Sequence, residues 1–319
     1  MPSMADVPAA PATPDLSVDL GRGLRLRSPL MAASGTFGYG FDAPLVDRAA
    51  LGAMISKGTT LSPRSGNRPV RIAETPSGML NAIGLENPGV DHVVEVYAPR
   101  WSTWDLPVIV NVAGESVEEY VVCARRLSEA QGIAGLELNI SCPNVEAGMQ
   151  FGIDARLAGG LTAAVRTVTH LPLMVKLTPN VTDLPAIARA VQDAGADCIS
   201  AVNTFVGMKI DVHRRRPVLE RVTGGLSGPA IRPLALRAVW EVSAAVTVPV
   251  LGVGGIETAE DALEFLLAGA AAVQLGTVNY VNPRATTQVR DGVEAYMRDR
   301  GHADLRSLAL RREQVSIHA

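Results

Sequence analysis

The chain has 319 residues and a formal net charge of −3, with 47% hydrophobic but only 4% aromatic residues. A chain of this length buries a large core without disulfides or metal ions, and its near-neutral charge argues against nucleic-acid binding as its main function. No uninterrupted apolar run reaches about 18 residues, so the sequence predicts no membrane-spanning helix.

The amino-terminal segment, residues 1–16, is rich in proline and alanine. It has neither a basic region nor a continuous apolar stretch, so it lacks the pattern of a secretory signal peptide. We expect residues 1–16 to be a disordered tail and residues 17–319 to form a single domain.

Short apolar runs alternate with amphipathic stretches along the rest of the chain. Eight runs predict β-strands, at Leu30–Ala33, Ala53–Ser56, Val108–Val112, Gly135–Ile140, Leu173–Leu177, Cys198–Val202, Val248–Val253 and Ala271–Leu275. Helical spacing predicts helices at Ala43–Ala50, Gly89–Arg100, Val117–Gln131, Ala155–Thr169, Leu184–Ala194, Pro229–Ala245, Ala259–Ala268 and Pro283–Arg300. Eight successive strand–helix units favour an α/β fold of the (β/α)8 TIM-barrel type. The main alternative is an open doubly wound sheet, but no GxGxxG pattern follows the first strand.

Two connections are longer than the usual loops of such units, and both follow the carboxyl end of a strand. They run from Gly58 to Pro88 and from Thr204 to Gly228. In a barrel this end carries the active site, so long catalytic-face loops are expected to act as binding loops or lids. Small hairpins without a functional role are the alternative.

Each predicted strand ends in a polar residue or a glycine. The first residues of this kind are Ser34, Lys57, Asn111, Asn139, Lys176, Asn203, Gly254 and Gly276. The carboxyl ends of barrel strands meet at one mouth, so we expect these residues to surround one site. Asparagine amides both donate and accept hydrogen bonds, which suits a planar ligand with amide edges.

The last two strand ends favour a phosphate site. Gly254-Gly255 and Gly276-Thr277 follow the seventh and eighth strands, whose loops commonly supply backbone N–H groups to a phosphate in barrels. A phosphorylated substrate or a cofactor such as FMN would satisfy this pattern. The alternative is that these glycines only form tight turns.

Two lysines are placed to enter the predicted mouth. Lys176 lies between Val175 and Leu177, so strand alternation turns it towards the barrel interior, and Lys57 ends the second strand. A buried ammonium group needs an anionic or carbonyl partner. A flavin edge, a Schiff-base substrate and a neighbouring carboxylate are the three alternatives.

The three cysteines, Cys123, Cys142 and Cys198, form no CxxC or Cys/His cluster, so the sequence predicts no zinc or iron–sulfur site held by this chain alone. Cysteines this few and scattered also predict a reducing, cytoplasmic compartment. Cys123 and Cys198 lie within predicted regular elements and are expected to be buried. Cys142 instead follows the fourth strand and precedes Pro143. A thiol on that loop is a candidate base or nucleophile.

Several motifs together resemble a known family. They are SGTFGYG (34–40), ISKGTT (55–60), ETPSGMLNAIGLENPG (74–89), NVAG (111–114), ELNISCPN (137–144), VKLTPNVTD (175–183), VNTFVGMKID (202–211), GGLSGPAIRPLALR (224–237) and GVGGI followed by EDALEFLLAGAAAVQLGT (252–277). Over about residues 16–296 the chain resembles class 1 dihydroorotate dehydrogenases, which use a cysteine base. It is most similar to their class 1B catalytic subunit.

This resemblance implies FMN-dependent oxidation of (S)-dihydroorotate to orotate in pyrimidine biosynthesis. Cys142 would remove the C5 proton, while hydride passes from C6 to flavin N5. The family match places substrate contacts at Lys57, Asn81, Ala82, Ile83, Gly84, Leu85, Asn139, Asn203 and Thr204. It places FMN contacts at Ser34, Lys57, Gly58, Asn111, Asn139, Lys176, Val202, Gly228, Gly254, Gly255, Gly276 and Thr277. No metal site is implied.

The resemblance also implies partners. Class 1B enzymes use NAD as the final acceptor through a second subunit that carries FAD and a [2Fe–2S] cluster, so a homodimer or a heterotetramer with that subunit is expected. Two other hypotheses stay open: a flavoprotein like the barrel of dihydropyrimidine dehydrogenase, and a flavin-free lyase with Lys176 as Schiff base. The basic run Arg214–Arg216 attracts an anionic substrate or is simply solvated.

Overall fold

The computed structural model describes residues 13–41, 46–141 and 151–310. Eight parallel strands close into a barrel in which chain neighbours are also spatial neighbours, and the sixth strand pairs with both the fifth and the seventh. In chain order, barrel strands one to eight are Leu30–Ala32, Ala53–Ile55, Val108–Val112, Gly135–Asn139, Leu173–Lys176, Cys198–Ala201, Val250–Val253 and Ala272–Leu275. The predicted (β/α)8 barrel is confirmed, and the open sheet is wrong because the strand order closes.

Prolines precede three of the barrel strands without interrupting the sheet. Pro107, Pro172 and Pro249 lack a backbone donor, but each carbonyl accepts a hydrogen bond from the neighbouring strand, at 2.9–3.0 Å. A proline is tolerated at the start of a strand, where its missing N–H interrupts no ladder hydrogen bond.

Helices surround the barrel and follow the predicted units. The longer ones are Val117–Ser128, Ala155–Arg166, Leu184–Asp193, Arg232–Ala245, Ala259–Leu267 and Ala285–Arg300. A continuous helical segment consists of Val90–His92, the π-helical Val93–Tyr97 and Ala98–Trp101. Shorter turns occur at Arg48–Ala50, Phe151–Ile153, Pro229–Ile231, Val278–Val281 and Leu305–Ser307. No helix among the described residues is long and apolar enough to cross a membrane.

The helix starts are fixed by side-chain caps. Ser116, Asp154, Asp183 and Thr258 each accept a hydrogen bond from a backbone N–H in the first helical turn. Such caps satisfy donors that have no partner within the helix. The helix predicted at Ala43–Ala50 is observed only as the 3-10 turn Arg48–Ala50, and residues 42–45 lie outside the described residues.

Alternation along the strands separates two cores. In barrel strand three, Val108, Val110 and Val112 pack in the outer core between strands and helices. Ile109 belongs to a separate interior core, and Asn111, two positions further on, shares its inward phase. The same strand therefore supplies the hydrophobic shell on one face and the contents of the barrel on the other.

A short amino-terminal hairpin closes the lower end of the barrel, opposite the mouth. Val18–Asp19 pairs with Arg25–Leu26, and the fully buried Leu20 and Leu26 pack in the interior core. The sequence predicts no strands here, because each of the two strands has only two residues. Nearby, Asp15, which was assigned to the tail, donates its backbone N–H to the carbonyl of Ala303 at 2.9 Å.

The two long connections join in one four-stranded antiparallel sheet, here called the mouth sheet. Its strands, in spatial order, are Phe205–Met208, Thr223–Ser227, Gly78–Asn81 and Ile72–Thr75. A small hairpin, Ile210–Asp211 with Arg216–Pro217, extends from it and carries the exposed arginine run. The connection predicted as a lid is thus tied by main-chain hydrogen bonds to the other long connection.

Truncating a side chain of the lower hairpin tests its role in barrel closure. Leu26→Ala is expected to lower the free energy of unfolding by about 2–5 kcal/mol, because it leaves a cavity in the interior core. The measurement is urea unfolding followed by circular dichroism.

The matched control is Leu234→Ala, whose side chain is 51% exposed on an outer helix. We expect that variant to change stability by less than about 0.5 kcal/mol. Equal effects of the two substitutions would contradict the proposed closure.

Candidate active site

A cavity of about 690 Å³ lies at the mouth of the barrel, under the mouth sheet. Residues at or just beyond the carboxyl ends of all eight barrel strands line it, together with residues of the two long connections. Ligand sites in proteins typically measure about 300–1,000 Å³. The cavity is therefore large enough for a cofactor and a small substrate to lie side by side.

The structure brings together the residues that the sequence analysis selected. Each predicted contact residue lines this cavity: Ser34, Lys57, Gly58, Asn81, Ala82, Ile83, Gly84, Leu85, Asn111, Asn139, Lys176, Val202, Asn203, Thr204, Gly228, Gly254, Gly255, Gly276 and Thr277. Their individual contacts with substrate or cofactor stay predictions. Cys142, the predicted base, lies outside the described residues.

The asparagine side chains at the mouth are oriented by hydrogen bonds. Asn203 donates its side-chain Nδ2 to Asn139 Oδ1 at 3.3 Å and accepts the backbone N–H of Thr204 at 2.8 Å. Asn139 Oδ1 also accepts the backbone N–H of Ser141 at 3.2 Å, and Tyr120 donates its hydroxyl to the Asn139 carbonyl at 2.6 Å. These bonds hold two amides beside each other at the ends of barrel strands four and six.

The segment 81–85 is held by an asparagine that the sequence analysis missed. Asn67 donates Nδ2 to the Ala82 carbonyl and its backbone N–H to the Ile83 carbonyl, at 2.8 and 2.9 Å. Gly84 has φ +79°, and a Cβ atom there would lie 2.6 Å from Asn67 Cγ. Asn67 lies in an irregular loop with no periodic pattern, so only the tertiary structure reveals its role.

Glycines open the side of the cavity formed by barrel strands seven and eight. Gly254 and Gly255 have φ of +132° and +78°, and a Cβ atom on Gly255 would lie 2.8 Å from the Gly228 carbonyl oxygen. A Cβ atom on Gly276 would lie no closer than 3.5 Å to any residue other than its chain neighbours, the nearest atom being Ala33 Cβ. These glycines line the cavity, and glycine-rich strand ends of this kind suit a phosphate group bound by backbone N–H groups.

The two lysines occupy different surroundings. Lys176 is 6% exposed and lines the cavity from barrel strand five, whereas Lys57 is partly exposed at the end of barrel strand two. Lys57 also contributes to a lowered pKa of Glu86, although the main cause is the hydrogen bond from Arg71. Both ammonium groups favour an anionic ligand in the cavity.

Beneath the cavity the barrel holds a fully buried carboxylate, Glu137, which the sequence analysis did not select. Its carboxylate accepts hydrogen bonds from Asn111, Ser200 and Gln274, which also point into the barrel. The sequence does carry a signal for Glu137. It is a charged residue within the apolar run Gly135–Ile140, and it lies two positions before Asn139, so both side chains point to the same face of the strand. Among the described residues no group of His, Cys, Asp or Glu could hold a metal ion.

The other two cysteines are buried away from the cavity wall. Cys123 packs in the outer core, where burial raises the pKa of its thiol to about 12 and the Glu119 carboxylate adds to the rise. Cys198 packs inside the barrel, where burial also raises its pKa. Neither thiol has the exposed, electropositive surroundings of a reactive cysteine.

Comparison with known proteins gives a consistent family. The family model described as dihydroorotate dehydrogenase matches residues 17–297. The chain is 54% identical to the dihydroorotate dehydrogenase B (NAD(+)) catalytic subunit of Desulforamulus reducens, over 92% of this chain and 97% of the relative. Proteins of the same name from Geotalea uraniireducens and Bacteroides thetaiotaomicron are 52% and 51% identical, over 92% and 90% of this chain and 97% and 95% of theirs.

Thiol alkylation tests the assignment of the two buried cysteines. Iodoacetamide added to the folded protein at pH 8 is expected to leave Cys123 and Cys198 unmodified, because few of their thiols ionise and neither is accessible. Peptide mass spectrometry gives the extent of modification at each position. The same reaction in guanidinium chloride is the control and should modify both residues; modification of either in the folded protein would refute the assignment.

Proposed function

Because this chain belongs to the dihydroorotate dehydrogenase family, we propose that it oxidises (S)-dihydroorotate to orotate in pyrimidine biosynthesis, with FMN as its cofactor. The observation that carries the proposal is the single mouth cavity, which gathers every described residue that the family resemblance assigns to substrate or cofactor. The names of the relatives specify both dihydroorotate dehydrogenase and NAD(+).

The cavity has features that fit FMN. The glycines Gly228, Gly254, Gly255 and Gly276, with Thr277, would hold the phosphate through backbone N–H groups. Asn111 lines the cavity, and its Oδ1 is buried with no hydrogen-bond partner among the described residues, so a cofactor donor would satisfy it. Ser34, Gly58, Lys176 and Val202 would line the ring system. When bound, the flavin supplies the hydride acceptor.

The burial of Lys176 supports a role for its ammonium group in binding the cofactor. Its ammonium group lines the cavity from a strand end, and an anionic or carbonyl group of the cofactor would offset the cost of burying that charge. The positive charge would favour cofactor states that carry negative charge near it. Lys57, which is closer to solvent, would serve the carboxylate of the substrate.

The substrate would lie between segment 81–85 and the paired amides of Asn139 and Asn203. Dihydroorotate presents both N–H donors and carbonyl acceptors, and asparagine amides with backbone groups can match both kinds. The hydrogen bonds from Asn67 would keep segment 81–85 in place during binding. The mouth sheet would exclude water from the reacting atoms.

Cys142 is proposed as the base that takes the C5 proton of the substrate. The support is its sequence position, directly after Ser141, whose side chain lines the cavity. The C5 proton is adjacent to a carbonyl group, so it becomes acidic enough for a positioned thiolate to remove. The two alternatives, a dihydropyrimidine dehydrogenase-like enzyme and a Schiff-base lyase through Lys176, are not favoured by the names of the relatives.

The relatives are named catalytic subunits, which supports a second subunit for this chain as well. We propose that this partner carries FAD and a [2Fe–2S] cluster and passes electrons to NAD, and that two catalytic chains associate. A cytoplasmic location is part of the same proposal. The exposed arginines 214–216 are available to attract an anionic substrate.

Anaerobic titration tests the proposed reaction. The purified protein is expected to show the visible absorption of a bound flavin, and (S)-dihydroorotate should bleach it. Dihydrouracil, which lacks the carboxylate, is the matched control and should not. Bleaching by dihydrouracil alone would favour the dihydropyrimidine dehydrogenase-like alternative, and failure to bind added FMN would refute the proposal.

Substitution of Cys142 tests the proposed base. Cys142→Ala should keep bound FMN but slow its reduction by dihydroorotate about 10²–10⁴-fold, the usual contribution of general base catalysis. Cys142→Ser should retain part of the activity and gain rate as pH rises, because a hydroxyl is a poorer base. Stopped-flow absorbance measures both rates.

The control variant is Cys123→Ala, which removes a thiol of the outer core and should reduce flavin at the wild-type rate. A wild-type rate in Cys142→Ala would rule Cys142 out as the base.

A further inference from the structure

Four polar residues form a closed layer inside the barrel, below the cavity. Asn111, Glu137, Ser200 and Gln274 come from barrel strands three, four, six and eight, and each is at most 1% exposed. The interior core lies on their lower side. A carboxylate in such a place is costly unless several donors compensate its charge.

Every hydrogen-bond partner of the Glu137 carboxylate among the described residues is a donor. Asn111 Nδ2 donates to Oε1 at 2.8 Å, while Ser200 Oγ and Gln274 Nε2 donate to Oε2 at 2.6 and 3.2 Å. Gln274 Nε2 also lies 3.0 Å from Ser200 Oγ. The carboxyl group thus acts as an acceptor at both oxygens.

This arrangement fixes the orientation of the Asn111 amide. A carboxylate accepts but does not donate, so the NH2 group of Asn111 must face Glu137 and the Oδ1 atom must face the other way. Oδ1 is buried with no partner among the described residues, and a Cβ atom on Gly58 would lie 3.1 Å from it. Asn111 and Gly58 both line the cavity, so the unpaired Oδ1 lies at its border, where a ligand donor would satisfy it.

We propose that Glu137 is a positioning residue, which holds the Asn111 amide so that its oxygen accepts a hydrogen bond from the cofactor. The inference rests on the proposed function, because it takes FMN as the occupant of the cavity. FMN offers donors in its ring N–H and its ribityl hydroxyls, and either kind would satisfy the unpaired oxygen. Without Glu137 the amide could turn and present its NH2 group instead, which would repel the same donors.

The acceptor, rather than the negative charge, is the property that the geometry requires. In Glu137→Gln the side-chain oxygen can face Asn111, while its NH2 group donates to the Ser200 hydroxyl. The unpaired Oε1 of Gln274 can turn to accept from the same group. Glu137→Met has similar length but no acceptor, so it releases the Asn111 amide.

FMN affinity distinguishes these variants. The full chain, freed of cofactor, is titrated with FMN, and quenching of flavin fluorescence gives the dissociation constant. Glu137→Met and Asn111→Ala are each expected to weaken binding roughly tenfold, the loss of one buried hydrogen bond. Glu137→Gln should stay within about threefold of wild type, the usual scatter of independent effects.

The double variant Glu137→Met/Asn111→Ala separates positioning from a general structural effect. If Glu137 acts through Asn111, the double variant binds FMN no more weakly than Asn111→Ala alone. Ser200→Ala is the control, because it removes one donor to Glu137 and leaves the bond to Asn111 in place; its FMN affinity should match that of Glu137→Gln. Thermal unfolding of each cofactor-free variant reports whether the barrel is folded.

Three results would overturn the inference: wild-type affinity in Glu137→Met, equal losses in Glu137→Gln and Glu137→Met, or additive losses in the double variant. If Glu137→Met does not fold, Glu137→Asp replaces it, because the shorter side chain withdraws the carboxylate from Asn111 and should also weaken binding. Wild-type affinity in that variant would overturn the inference as well. A wild-type chain that binds no FMN would refute the proposed function itself.

Discussion

A side chain on a barrel strand of this protein points either to the helices or into the barrel, and alternation along the strand decides which. Because the barrel is closed, all inward side chains share one narrow space, and those at the carboxyl ends meet at a single mouth. A slip of one residue in any strand would exchange its core residues for its site residues. The register of eight short strands is therefore the constraint on which the site depends.

The barrel interior changes character from its lower end to its mouth. Leucines of the amino-terminal hairpin pack in the interior core below, and in the polar layer above it three side chains donate hydrogen bonds to the Glu137 carboxylate. Above it, amides and lysines line the cavity. A polar layer whose members satisfy one another holds its side chains in one arrangement. The hydrogen bond to Glu137 therefore holds the Asn111 amide at the floor of the cavity with its oxygen turned away from the carboxylate.

Much of this could be predicted from the sequence because the signals are local. Apolar runs that end in Ser34, Lys57 or Asn139 mark both a strand and the end of it that carries chemistry. The eight barrel strands were accordingly predicted to within two residues at each end. The cavity lining followed from the same strand ends and from the family resemblance.

The features that were missed depend on contacts between distant parts of the chain. The lower hairpin has strands of two residues, too short for an alternating pattern. The partners of Glu137 come from three other strands, and nothing near Gln274 or Ser200 in the sequence indicates that they meet. Asn67 lies in a loop without periodicity. In each case the physical cause is tertiary packing, which no short window of sequence contains.

The mouth sheet has a consequence for the order of folding. Its central pair joins Asn81 to Gly225, residues 144 positions apart in the chain. Closing a loop of that length costs entropy before the pairing returns any stability, and contacts of high sequence separation slow folding. The barrel strands on either side must first bring the two connections together. We therefore expect the roof of the cavity to be among the last parts of the chain to assemble, so that a nascent or partly unfolded chain would have a barrel before it has a binding site.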